Sequence, residues 1–142
     1  MPDRPYVLLS AAVSVDGYID DATPDRLLED LELLGFLFES LVVRDLRVYA
    51  QAADARVSQY RDSGGLEVDA IVEAGDGRWM AFEVKLGQGH LDAAAANLTR
   101  FAERIDTAGC GSPALLGVIV ATGYGYRRED GVAVIPIGAL GP

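Results

Sequence analysis

The chain is poor in the residues that usually announce a chemistry. It has a single cysteine, Cys110, and a single histidine, His90, in 142 residues. One cysteine closes no internal disulfide, so a reducing cytoplasm is the expected compartment. Cys110 itself reads as a small residue in a Gly-rich loop. One histidine supplies neither a metal-ligand cluster nor a nucleophile–base pair, and His90 reads as surface at a helix entry. Basic residues are scarce, 12 Lys and Arg against 22 Asp and Glu, for a net charge of −10. Phosphate neutralisation drives non-specific nucleic-acid affinity, so a generally basic binding surface is excluded. Long apolar runs are also missing. Residues 6–15 are apolar but fall well short of the ~20 that a spanning helix needs, so no membrane is expected. They lack a net-positive start and lead into Asp16 and Asp20, which argues against a signal peptide. There is no Walker loop, Cys-x-x-Cys, Gly-x-Ser-x-Gly, internal repeat or low-complexity tract.

Lysine is equally rare. Lys85 is the only one, and every other basic side chain is arginine. Lysine is a compact point charge with a tunable pKa, and arginine does not replace it. Its setting is a predicted β-hairpin: apolar runs at 68–72 and 79–84 flank Gly75-Asp76-Gly77. Alternation places Glu67, Asp69 and Ile71 on one face. On the second strand Glu83 and Lys85 share one face, and Met80, Phe82 and Val84 the other. Asp69, Glu83 and Lys85 are thus set to converge at the end of the hairpin. Carboxylate oxygens of this kind hold Mg²⁺, or Mn²⁺ in its place. A lysine beside them can position water or stabilise developing charge. A solvated hairpin with a cross-strand acid–lysine pair fits the same spacing.

Around the hairpin, half the residues are hydrophobic, enough for one domain with a core. A helix is predicted over 29–53, with Glu29, Asp30 and Glu32 at its electropositive start. Leu34, Leu37, Phe38, Leu41, Val42, Leu46 and Tyr49 form its apolar stripe. Glu39 falls among Phe36, Val42, Val43 and Leu46, where an acid needs a partner. That partner is a metal site at the hairpin or an arginine, unless the side chain snorkels out at the stripe's edge. A strand is predicted over 56–61, followed by a turn at Asp62-Ser63-Gly64-Gly65. A second helix is predicted over 90–106, a buried strand over 115–121, a loop over 122–130 and a last strand over 132–137. Asn97, Arg100 and Arg104 share one helix face, either as phosphate contacts or as solvated surface. Gln88 lies near enough to order a water. Tyr124, Tyr126, Arg127 and Arg128 suit either base stacking or a protein interface.

Glu67-Val68-Asp69 followed by Phe82-Glu83-Val84-Lys85 resembles the core of PD-(D/E)XK nucleases. More narrowly, Gly35-Phe36-Leu37-Phe38-Glu39, Tyr60-Arg61-Asp62, Gly65-Leu66-Glu67-Val68-Asp69 and Glu83-Val84-Lys85 resemble one bacterial domain of unknown function. That domain is found at the C-terminus of AAA-type ATPases, and the likeness covers roughly residues 30–142. It implies an α/β fold with a restriction-endonuclease-like mixed central sheet flanked by helices. It carries Glu39, Asp69, Glu83 and Lys85 into active-site roles, with Asp69, Glu83 and Glu39 holding Mg²⁺. Residues 1–28, through Ser14-Val15-Asp16-Gly17-Tyr18-Ile19-Asp20, are similar to the start of RibD-type reductases of the dihydrofolate-reductase-like kind. About 28 residues cannot build a nucleotide site, so they are expected to contribute one strand, with 29–142 forming the domain. Two functions remain open: a metal-dependent hydrolase of phosphodiesters in nucleic acid, and a non-catalytic module that binds a protein such as an ATPase.

Overall fold

The computed structural model describes residues 30–105 and 107–141. Residues 1–28, expected to contribute one strand, lie outside the described residues. Helix α1 (Leu31–Ala52) opens on Asp30, whose side chain accepts the Leu33 N–H at 3.0 Å and caps the first turn. Strands β1 (Ala55–Arg61), β2 (Glu67–Ala74) and β3 (Trp79–Lys85) follow as an antiparallel meander. A short 3₁₀ turn, Gln88–His90, leads into α2 (Leu91–Arg104) and a four-residue helix α3 (Thr107–Cys110). The chain then runs through β4 (Leu115–Val120), β5 (Tyr126–Arg127) and β6 (Ala133–Pro136) to a closing 3₁₀ turn, Ile137–Ala139.

The architecture is α/β, as expected: one six-stranded mixed sheet in the order β1-β2-β3-β4-β6-β5 with helices against it. β3, β4 and β6 are parallel, because α2 carries the chain across from β3 to β4. Each face of the sheet has its own core. Under α1 lie Phe38, Val42, Val43, Leu46, Ala70, Val72, Phe82, Val84 and Ile119. Under α2 lie Val68, Ile71, Trp79, Ala81, Leu98, Phe101, Val118 and Val120. The strand β4 is apolar on both sides because it is covered on both, and it reads as a continuous run for that reason.

The Gly-Asp-Gly turn forms as predicted. Gly77 takes the left-handed φ of +88° that closes it, and Asp76 accepts the Arg78 N–H at 3.0 Å. Three expectations need correction. Cys110 ends a short helix rather than sitting in a loop, although it is exposed. The loop over 122–130 contains β5, paired with β6. On α1 the stripe is rotated: Leu41 is exposed, while Val43 and Ala50 are buried.

The predicted face assignment on β2 also fails, for a specific reason. Ser58 pairs with Ile71 and Tyr60 with Val68, so Asp69 and Ala70 together stand opposite the single Gln59. This is a β-bulge, which inserts one residue and reverses the alternation. Val68 and Ile71 therefore both enter the core under α2. Asp69 is not in regular register with Ile71.

Candidate metal and phosphodiester site

The bulge places Asp69 where the β2–β3 ladder stops. The ladder runs from Glu73↔Trp79 to Ala70↔Phe82 and goes no further. Beyond it the Val84 N–H donates to Asp69 Oδ2 at 2.7 Å, so a side chain takes over from a backbone carbonyl. On β3 the alternation holds, and Glu83 and Lys85 point to the α2 side, as expected. Lys85 Nζ lies 2.9 Å from Glu83 Oε2 and 3.8 Å from Asp69 Oδ2. The three side chains meet at the carboxyl end of a parallel strand, the end at which open α/β sheets bind ligands.

Among the described residues Glu83 is the one buried charged residue, 5 % exposed. Burial pushes its pKa up, and the Asp69 charge adds to this, while Lys85 and Asn97 oppose it. Burial likewise raises Asp69, against the Val84 N–H and Lys85. Glu39 approaches from α1, on the opposite face of the sheet. Burial and then the Asp69 charge raise its pKa, so its carboxyl belongs electrostatically to the same cluster. Among the described residues Glu39 has no hydrogen bond or ion pair. Burial works against the Lys85 ammonium, but the Glu83 hydrogen bond and the surrounding carboxylates outweigh it and raise its pKa. Lys85 therefore stays protonated. Three carboxylates face one ammonium, an excess of negative charge in a half-dry setting.

An open groove of about 450 Å³ adjoins the cluster, lined by Glu83, Lys85, His90, Ala93, Ala94 and Asn97. His90 is exposed at the helix entry, as expected, and also lines the groove. Asn97 was expected beside Arg100 and Arg104 as a phosphate contact or solvated surface; it instead donates to Glu83 Oε1 at 2.7 Å. The signal was present in the sequence. Ala93, Ala94 and Asn97 share the helix face that small residues allow close to β3. The two arginines do not join it: Arg104 pairs with Asp62, and Arg100 is exposed. Gln88 is also turned away from the site, since its Nε2 donates to Thr122 O at 3.4 Å. Gly123 packs so tightly on it that a Cβ there would stand 2.6 Å from Nε2. Arg128 is held by Asp92 and Asp130. Tyr124 stands 90 % exposed on the loop that follows β4.

The donor set suits a hard cation, being carboxylate oxygen throughout. Among the described residues no group of three or more His, Cys, Asp or Glu side chains is gathered closely enough to hold a metal on its own. Mg²⁺ does not require one, because it keeps several waters and uses one or two carboxylates together with substrate phosphate. Asp69 and Glu83 supply two carboxylates, and among the described residues Glu39 adds a third that has no hydrogen bond or ion pair.

Comparison with known proteins gives a family. The profile of the domain of unknown function DUF4143 matches residues 34–140, most of the chain, and the chain belongs to that family. The match contains all four residues of the cluster and leaves residues 1–28 outside it. No curated protein and no solved structure matches the chain. Among the described residues no helix is long and apolar enough to cross a membrane.

Proposed function

We propose that this domain is a Mg²⁺-dependent phosphodiesterase of the PD-(D/E)XK kind, acting on nucleic acid in the cytoplasm. In this reading its relatives are the C-terminal domains of bacterial AAA-type ATPases, and its sheet is the restriction-endonuclease-like one. The observation that supports it best is the meeting of Asp69, Glu83 and the only lysine within ion-pair distance at a strand end. Asp69 and Glu83, with Glu39, would hold Mg²⁺ or Mn²⁺. A divalent ion bound there offsets charge on a phosphate and makes a water more acidic. Lys85, kept protonated by its neighbours, donates to the attacking water and to the developing charge, and does not act as a base. Glu39, with no hydrogen bond or ion pair among the described residues, supports the site as an acceptor. Asn97 and the Val84 N–H keep Glu83 and Asp69 in place.

A second reading is favoured by a different observation. Leu31, Phe36, Leu41 and Val48 on α1 are exposed, Phe36 to 60 %. With the net charge of −10, this suits a module that docks on a protein such as an ATPase. Calorimetric titration with Mg²⁺ and Mn²⁺ separates the two. The variant is Asp69→Asn, which still accepts the Val84 N–H. The hydrolase reading expects saturable binding in the wild type, lost in the variant, and cleavage of DNA or RNA that depends on Lys85. No binding at millimolar metal, with a non-hydrolysable phosphodiester present, would leave the docking module standing.

A further inference from the structure

We propose that Asn97 is a positioning residue that sets the separation of the two metal-binding carboxylates; the inference rests on the metal reading above. Its Nδ2 makes two short bonds, to Glu83 Oε1 at 2.7 Å and to the Glu67 carbonyl at 2.6 Å. A primary amide nitrogen carries two hydrogens, so one goes to each. Both partners are acceptors, which dictates the orientation of the amide: turned over, it would set oxygen against oxygen twice.

The placement gives this bridge its importance. Glu67 begins β2 and Glu83 lies near the end of β3. They flank the stretch where the ladder has ended at Ala70↔Phe82 and the bulge has displaced Asp69. No backbone pairing fixes the two strands there. Two side chains do so instead, Asp69 on the Val84 N–H and Asn97 across the opening. Asn97 makes no hydrogen bond to Asp69. It acts on the pair by tying Glu83 to the strand that carries Asp69.

The bridge also divides the Glu83 carboxylate. Oε1 is held by Asn97, and Oε2 is turned to Lys85. Oε2 is thereby the oxygen left to meet an ion, with Lys85 as its alternative partner. Alanine at 97 would free the carboxylate to rotate. Aspartate would face it with a like charge. Glutamine carries the same amide on an arm one methylene longer and can reach only part of the arrangement.

The test uses metal affinity in the whole chain, with Asn97→Ala, Asn97→Gln and Ala96→Gln, an exposed neighbour on the same helix. Outer partners of metal ligands are typically worth about 10–100-fold in affinity. Asn97→Ala is expected to weaken Mn²⁺ binding by that factor, Asn97→Gln by less, and Ala96→Gln not at all. Affinity within about twofold of wild type in a folded Asn97→Ala protein overturns the proposal, as does an equal loss in Ala96→Gln. A second measurement needs no metal. The two Asn97 amide protons, followed by NMR, are expected to exchange slowly with water, and one of them to lose protection in Glu83→Ala. Free exchange of both in the wild type overturns the bridge. If the wild type binds no metal but the amide protons are protected, the hydrolase reading fails and the strut remains.

Discussion

The two ends of the β2–β3 hairpin carry the same kind of residue in opposite circumstances. At the turn end Asp76 is solvated and accepts the Arg78 N–H and guanidinium. Those bonds lower its pKa. At the open end Asp69 also accepts one backbone N–H, from Val84, yet burial raises its pKa. A hydrogen bond alone therefore does not decide the direction; the water around it does. The turn end satisfies its polar groups among themselves and serves the fold. The open end gathers Glu39, Asp69 and Glu83 around Lys85 and keeps an excess of negative charge. Strain of that kind collects at sites kept for chemistry or binding.

The largest way to disturb this contrast is to remove the ammonium that Asp69 and Glu83 share. Lys85→Met should destabilise the protein at neutral pH by about 2 kcal/mol in urea titrations. That is less than the about 3–5 kcal/mol of a fully buried pair, because the lysine side chain is 31 % exposed. The loss should shrink in acid, as the three carboxylates protonate. A loss of the same size at every pH would show that the lysine stem, rather than its charge, matters there.

Next comes the turn end. Gly77→Ala forces a side chain into a φ of +88° and should cost about 1 kcal/mol. Metal affinity should not change, since the turn shares no residue with the cluster. A coupled loss of affinity would erase the distinction between the ends.

The smallest effects are the most telling, because their signs differ. Glu39 has a folded pKa above its ordinary 4.5. Its favourable contribution is present below that value and lost as pH rises through the raised one. Glu39→Gln should therefore be more stable than wild type at pH 7, by a few degrees in melting temperature, and level with it in acid. Asp76 has a folded pKa below its ordinary 3.8. Its contribution is present above that value and lost as pH falls through the lowered one. Asp76→Asn should be slightly less stable than wild type at pH 7, again converging in acid. Melting curves across pH for both variants check this, and two shifts of the same sign would refute the assignment of environments.

Much of this was legible in the sequence, for reasons of period. The hairpin, α1, α2 and β4 follow from apolar spacing and from Gly75-Asp76-Gly77. Glu83 and Lys85 share a face because β3 is regular. The bulge left no mark: in Val68-Asp69-Ala70-Ile71 a small residue and two branched ones read as plain alternation. Only pairing with β1 reveals the extra residue. Asn97 was grouped with two arginines by helical spacing, which gives neighbours on a helix but not what the helix packs against. His90 was legible as surface at a helix entry, but not as part of a groove wall, which is a property of two elements together. Glu39 was legible as an acid on the wrong side of a helix, though what it faces came from the sheet.

The Val84 N–H on Asp69 has a consequence for how such a chain can drift. The aspartate is needed twice, once as an acceptor in place of a missing carbonyl and once as a negative charge. Folding calls on the first property, and the proposed chemistry on the second. Asparagine satisfies folding alone, so a descendant released from chemistry could exchange Asp69 for Asn and keep its sheet, whereas alanine or leucine would leave an amide stranded. Substitution at position 69 therefore separates the two demands: asparagine keeps the hydrogen bond and removes the charge, whereas alanine removes both.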